Sequence, residues 1–99
     1  MNDMGEDSGT TIRRIVTICN KRGLHARAAA KFVKMAASYD ADVRVSKNGS
    51  VVSGRSIMGL MMLAAAIGSV IEIRATGNQA EAAADAIAGL VTDGFHEED

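Results

Sequence analysis

Ile12, Ile15, Val16 and Ile18 crowd β-branched apolar residues into TIRRIVTIC, a composition that predicts a strand rather than a helix. NKRG breaks that run. From Ala26 to Tyr39 the apolar positions Ala29, Phe32, Val33, Ala36 and Ala37 recur at helical spacing, so a first helix begins directly after His25. Period two returns at Val43 and Val45, and apolar residues reappear at Val51 and Val52, on either side of Asn48-Gly49. That dipeptide tolerates the positive φ of a two-residue turn and predicts an antiparallel hairpin.

Gly54 closes the hairpin, and Ser56 is placed to cap a second helix from Ile57 to about Ala66, its hydroxyl accepting from an orphan N–H. Gly68 stops this methionine-rich helix. SVIEIRAT then sets Val70 or Ile71 and Ile73 against Glu72 and Arg74, as a half-buried fourth strand should. In GNQAEAAADAIAGLVTDGF, Asn78 is a cap candidate with Glu81 as its capping-box partner. Ala80, Ala84, Ile87 and Val91 share one face of the resulting third helix, which ends near Gly94. The order βαββαβα predicts an α+β fold, a four-stranded, largely antiparallel sheet with three helices on one face. Residues 1–11 read as a disordered N-terminal tail, 12–95 as one domain and 96–99 as an acidic C-terminal tail.

Composition narrows the function classes. The chain has 99 residues, 47% of them hydrophobic, which suits one core without disulfides or metal. Eleven Lys and Arg against twelve Asp and Glu give a formal net charge of -1. No chain-wide bias therefore favours nucleic acid or an anionic membrane, and any binding must be local. The lone Cys19 excludes an intrachain disulfide and points to a reducing, cytoplasmic setting; no Cys/His cluster has metal-ligand spacing. MNDMGEDSGT lacks the basic start and apolar run of a signal peptide, and IMGLMMLAAAIG is too short to span a bilayer.

His25 is the residue that draws attention to chemistry. A neutral imidazole nitrogen is nucleophilic near neutral pH, where serine or lysine needs activation. The N–H groups of the helix start, roughly Ala26 to Ala29, have no intrahelical partner, and the helix dipole favours negative charge there. A phosphoryl group fits that place. Arg27 adds a guanidinium fork, Lys21 and Arg22 enrich the same end, and Gly23 allows a tight turn before the ring. Against this stands the plainer reading, in which His25 is a turn residue and Arg27 a solvated helix residue.

GLHARAAAKFV resembles the active-centre motif of HPr, the histidine phosphocarrier of the bacterial phosphotransferase system, whose usual form is G-L-H-A-R-P-A. GRSIMGLMML is similar to that family's second signature, and the two motifs with the βαββαβα order cover about Ile12 to Phe95. The ending, with its Gly-Phe-acidic close, resembles the nitrogen-related branch. The resemblance implies an open-faced β-sandwich in which His25 accepts a phosphoryl group on Nδ1 from phosphorylated Enzyme I, of sugar or nitrogen type, and gives it to an EIIA-type protein. Arg27 would help to hold that group. Ala28 stands where the family usually has proline, which should loosen the loop and add one potential anion donor. No cofactor is implied, and a monomer is expected.

Ser56 read from the residues is a helix cap; the resemblance adds phosphorylation by an HPr kinase/phosphorylase, with Arg55 beside it available to a phosphate or an acidic partner. Leu60 and Leu63 read as core, but Ile57, Met58, Met61 and Met62 cannot all face inward on one short helix. With Ala30 they form the partner-docking surface that the resemblance implies, and flexible thioethers suit a patch that meets several partners. Cys19 is expected to be packed and His96 to be solvated and uninvolved. An RNA-binding module would need stacking aromatics on the sheet, whereas Phe32, Tyr39 and Phe95 fall in or after helices. With no second acid–base group near His25 in sequence, a carrier is expected rather than an autonomous enzyme. The alternative is a regulatory binding module of a nitrogen-type system, whose phosphorylation state controls partners.

Overall fold

The structure, a computed structural model, describes residues 11–97, so the N-terminal segment read as a tail lies outside the described residues except for Thr11. Strand β1 spans Ile12–Thr17, helix α1 Ala26–Ala37, β2 Asp42–Lys47, β3 Ser50–Ser53, α2 Ile57–Met62, β4 Val70–Thr76 and α3 Ala80–Thr92. The strands form one antiparallel sheet in the order β1-β4-β2-β3, with Val16 opposite Ile71 and Val45 opposite both Ile73 and Val52. This is the α+β arrangement that the βαββαβα pattern predicts. Among the described residues no helix is long and apolar enough to cross a membrane.

The core follows from two periods meeting. Val16 and Ile18, Val43 and Val45, and Ile71, Ile73 and Ala75 point to one face of the sheet and are buried. Onto that face pack Ala29, Phe32 and Ala36 from α1, Leu60 from α2 and Ala84, Ile87 and Val91 from α3. Because side chains alternate along a strand, the inward turn of Val16 puts its neighbour Ile15 on the open face, where it is 71% exposed. Asn48 and Gly49 both take positive φ, 51° and 88°, between the paired Lys47 and Ser50, as the hairpin reading requires.

Three features differ from the sequence reading, and distant contacts accompany two of them. Helix α2 ends at Met62 rather than near Ala66. The Lys47 ammonium donates to the carbonyls of Leu63 (3.1 Å) and Ala64 (3.4 Å), Ala64 turns to φ 53°, and the Ala65 carbonyl accepts from the Leu24 N–H at 2.9 Å. Helix α1 closes two residues before Tyr39, with Ser38 as its C-cap. The Asn78–Glu81 capping box does not form: Gln79 is the N-cap of α3 and makes no side-chain cap bond. Asn78 instead donates to Asp40 at 2.9 Å, and Gln79 accepts from the Asp40 N–H at 2.7 Å, so both side chains tie the start of α3 to the α1–β2 loop. Cys19, expected to be packed, is exposed, with its sulfur 3.5 Å from the carbonyls of Val91 and Thr92.

Candidate functional site

The loop before α1 is closed by short local bonds and pinned to the end of α2. Gly23 donates its N–H to the Asn20 carbonyl at 3.1 Å and takes φ +65°. A β-carbon there would lie 2.5 Å from the Ala65 oxygen and 2.9 Å from the Ala66 Cα, so the loop can approach the end of α2 only because position 23 is glycine. That approach brings the two sequence motifs together. Arg22, Leu24 and His25 line one side of a cavity of about 300 Å³ whose other side is Met61 and Ala64 to Ala66.

His25 is the N-cap of α1, with extended backbone at φ -77° and ψ 179°. Its Nδ1 accepts from the Arg27 backbone N–H at 3.3 Å, so the ring lies over the amide end of the helix, where the dipole favours an anion. The other ring nitrogen, Nε2, bonds the Glu97 carboxylate. The His25 side chain is only 16% exposed and that of Glu97 13%. Arg27 is exposed on the first turn. Ala28 and Ala29 are fully buried, so the extra amide at position 28 does not reach the surface as the sequence reading supposed.

Glu97 is the participant that sequence reasoning missed. The sequence assigns residues 96–99 to a tail, yet Glu97 is folded against the domain: the fully buried Asn20 donates to its Oε1 at 2.9 Å and to the Gly23 carbonyl at 2.8 Å. Burial by itself would raise the carboxyl pKa. The bonds from Asn20 and His25, then the charges of His25 and Lys31, outweigh it and hold Glu97 below the usual value of 4.5. The one available signal was Phe95, an apolar ring beyond the last helix, which packs at 0% exposure and anchors the segment.

Helix α2 presents Ile57, Met58, Met61 and Met62 at 41%, 70%, 41% and 78% exposure, and Ala30 is exposed on α1, which packs beside it. The Ser56 hydroxyl accepts from the Gly59 N–H at 2.9 Å as the cap of α2. Arg55 is turned the other way: its guanidinium reaches the carbonyls of Tyr39 and Ala41 at 3.5 and 3.4 Å, beyond the C-terminus of α1. His96 is exposed and paired with Asp93, and it does not line the cavity that His25 lines.

A family described as the PTS HPr component phosphorylation site matches residues 12–93. The chain belongs to the HPr family. It is 44% identical to the phosphocarrier protein HPr of Cupriavidus necator, over 87% of this chain and 97% of that protein. It is 43% identical to the phosphocarrier protein NPr of Shewanella violacea, over 89% of this chain and 97% of that protein. The crystal structure of HPr-C-His from Thermoanaerobacter tengcongensis superposes with a TM-score of 0.85 at 38% identity, over 89% of this chain and 99% of that one. The four-stranded sheet, the three helices and a phosphocarrier role in the phosphotransferase system are therefore those of an HPr-family protein, and near-equal identity to HPr and NPr leaves both branches represented.

Proposed function

We propose that this HPr-family chain carries a phosphoryl group on Nδ1 of His25, taking it from phosphorylated Enzyme I and delivering it to an EIIA-type protein. The observation that carries the reading is the position of Nδ1, 3.3 Å from a first-turn amide of α1. A phosphoryl group there meets the positive end of the helix dipole, and the Arg27 fork is one residue from that turn's start. Partners dock on the apolar patch of Ala30, Ile57, Met58, Met61 and Met62, which adjoins the ring through the cavity shared by His25 and Met61. The chain is a carrier: its phosphoramidate stays transferable, and no small substrate of its own is needed.

Ser56 is the regulatory position in this reading. A phosphoryl group on its hydroxyl would place nearly two negative charges at the edge of the docking patch while remaining compatible with the helix N-terminus. Incubation with phosphoenolpyruvate and Enzyme I of the sugar or nitrogen type, with acid-labile phosphate as the readout, tests the carrier role. Labelling that is lost in His25→Ala supports it, and the faster donor identifies the branch. Undiminished labelling of His25→Ala would move the acceptor elsewhere and overturn the assignment.

A further inference from the structure

We infer that Glu97 is a positioning residue for His25: its carboxylate holds the ring proton on Nε2 and so leaves the Nδ1 lone pair as the nucleophile. The inference rests on the phosphocarrier reading above and adds to it a residue from the far end of the chain. Two contacts define the tautomer. A backbone N–H can only donate, so Nδ1, which faces the Arg27 N–H at 3.3 Å, must accept. An ionised carboxylate can only accept, so Nε2, bonded to Glu97, must carry the proton. The opposite neutral tautomer would set donor against donor at one nitrogen and lone pair against carboxylate at the other.

Glu97 is held in turn. Asn20 is 1% exposed, and its amide nitrogen bridges the Gly23 carbonyl and Glu97 Oε1, which leaves Oε2 for the ring. The segment that delivers the carboxylate runs through Gly94, Phe95 and His96 at φ 65°, 58° and 60°. Non-glycine residues are strained in that region, and such strain persists only where surrounding contacts enforce it. Here the fully buried Phe95 ring and a 2.6 Å bond from the Lys31 ammonium to the Phe95 carbonyl enforce it.

The transfer step balances without a proton moving. The Nδ1 lone pair of His25 forms a bond to the phosphorus of the donor phosphohistidine as the donor's N–P bond breaks, and that electron pair returns to the donor ring nitrogen. His25 keeps its Nε2–H throughout and becomes a cationic, phosphorylated ring. Its new charge lies against the Glu97 carboxylate, and onward transfer restores the neutral ring.

Glu97→Gln is the decisive variant because Asn20 orients it. With its amide nitrogen already committed to the Gly23 carbonyl, Asn20 donates to the glutamine carbonyl, and the glutamine NH2 is left facing Nε2. Nε2 must then accept, and the proton moves to Nδ1, where it blocks the nucleophile. Glu97→Ala merely frees the ring. Single-turnover labelling from phosphorylated Enzyme I should therefore fall about tenfold in Glu97→Ala and further in Glu97→Gln, with KM unchanged. Ring-nitrogen chemical shifts of the unphosphorylated proteins should show the proton on Nε2 in wild type and on Nδ1 in Glu97→Gln. A wild-type ring protonated on Nδ1, or a Glu97→Gln variant that labels at least as fast as Glu97→Ala, overturns the inference. The ring measurement needs no phosphoryl donor, so it decides the role of Glu97 even if His25 proves not to be the acceptor.

Discussion

Replacing Gly23 by alanine should separate the histidine loop from the end of α2. The new β-carbon would stand 2.5 Å from the Ala65 oxygen and 2.9 Å from the Ala66 Cα, both backbone atoms that cannot rotate away. Holding an alanine in the left-handed region costs about 1–2 kcal/mol, and forcing an extra carbon into a packed contact costs about 1–3 kcal/mol more. Gly49→Ala supplies the control, since Gly49 also has positive φ, +88°, but has nothing within 4 Å of the position a β-carbon would take. The change in unfolded-chain entropy is common to both variants and cancels in the comparison. Gly23→Ala should thus lose about 3 kcal/mol and Gly49→Ala about 1 kcal/mol. For a domain of this size that corresponds to a fall in Tm of about 12–24 °C against about 4–8 °C. Urea unfolding followed by far-ultraviolet circular dichroism measures both. Variants that agree within about 0.5 kcal/mol, a typical scale for neutral surface changes, would show that the close approach to Ala65 does not organise the loop.

Ser56→Asp should retain the α2 cap, and hence a wild-type circular dichroism spectrum, while weakening Enzyme I docking by about 1–3 kcal/mol and slowing labelling of His25. Labelling as fast as wild type at low salt, where charge effects are largest, would reduce Ser56 to its capping role. Arg27→Glu should slow transfer more than Arg27→Ala because it adds repulsion where the dianion sits; equal rates would place the guanidinium away from the phosphate. Glu97 has a folded-state pKa lowered below 4.5, so its stabilising contribution is present above the unfolded value and is lost as pH falls through the folded one. The stability difference between wild type and Glu97→Ala should accordingly shrink from about pH 5 downward, and a difference that stays constant into the acid range would contradict the carboxylate's bonding.

Local chemistry alone carried much of this protein. The Asn48-Gly49 turn, the Ser56 cap and the helical spacing of Phe32 and Ala36 are decided by neighbours in the chain, because φ preference and side-chain period act over a few residues. His25 at the start of a helix was legible for the same reason, as was the surplus of apolar residues on α2. What the fold decided were contacts between segments far apart in sequence. Asn78 and Gln79 found Asp40 and so gave up the expected capping box. Ala64 took a positive φ that ends α2, and the carbonyls of Leu63 to Ala65 beyond it went to Lys47 and Leu24. Glu97 reached His25, 72 positions earlier, because Phe95 had a place in the core. A period along the chain records which face of an element is apolar, but a single polar contact across the fold leaves no period behind, and only packing can select it.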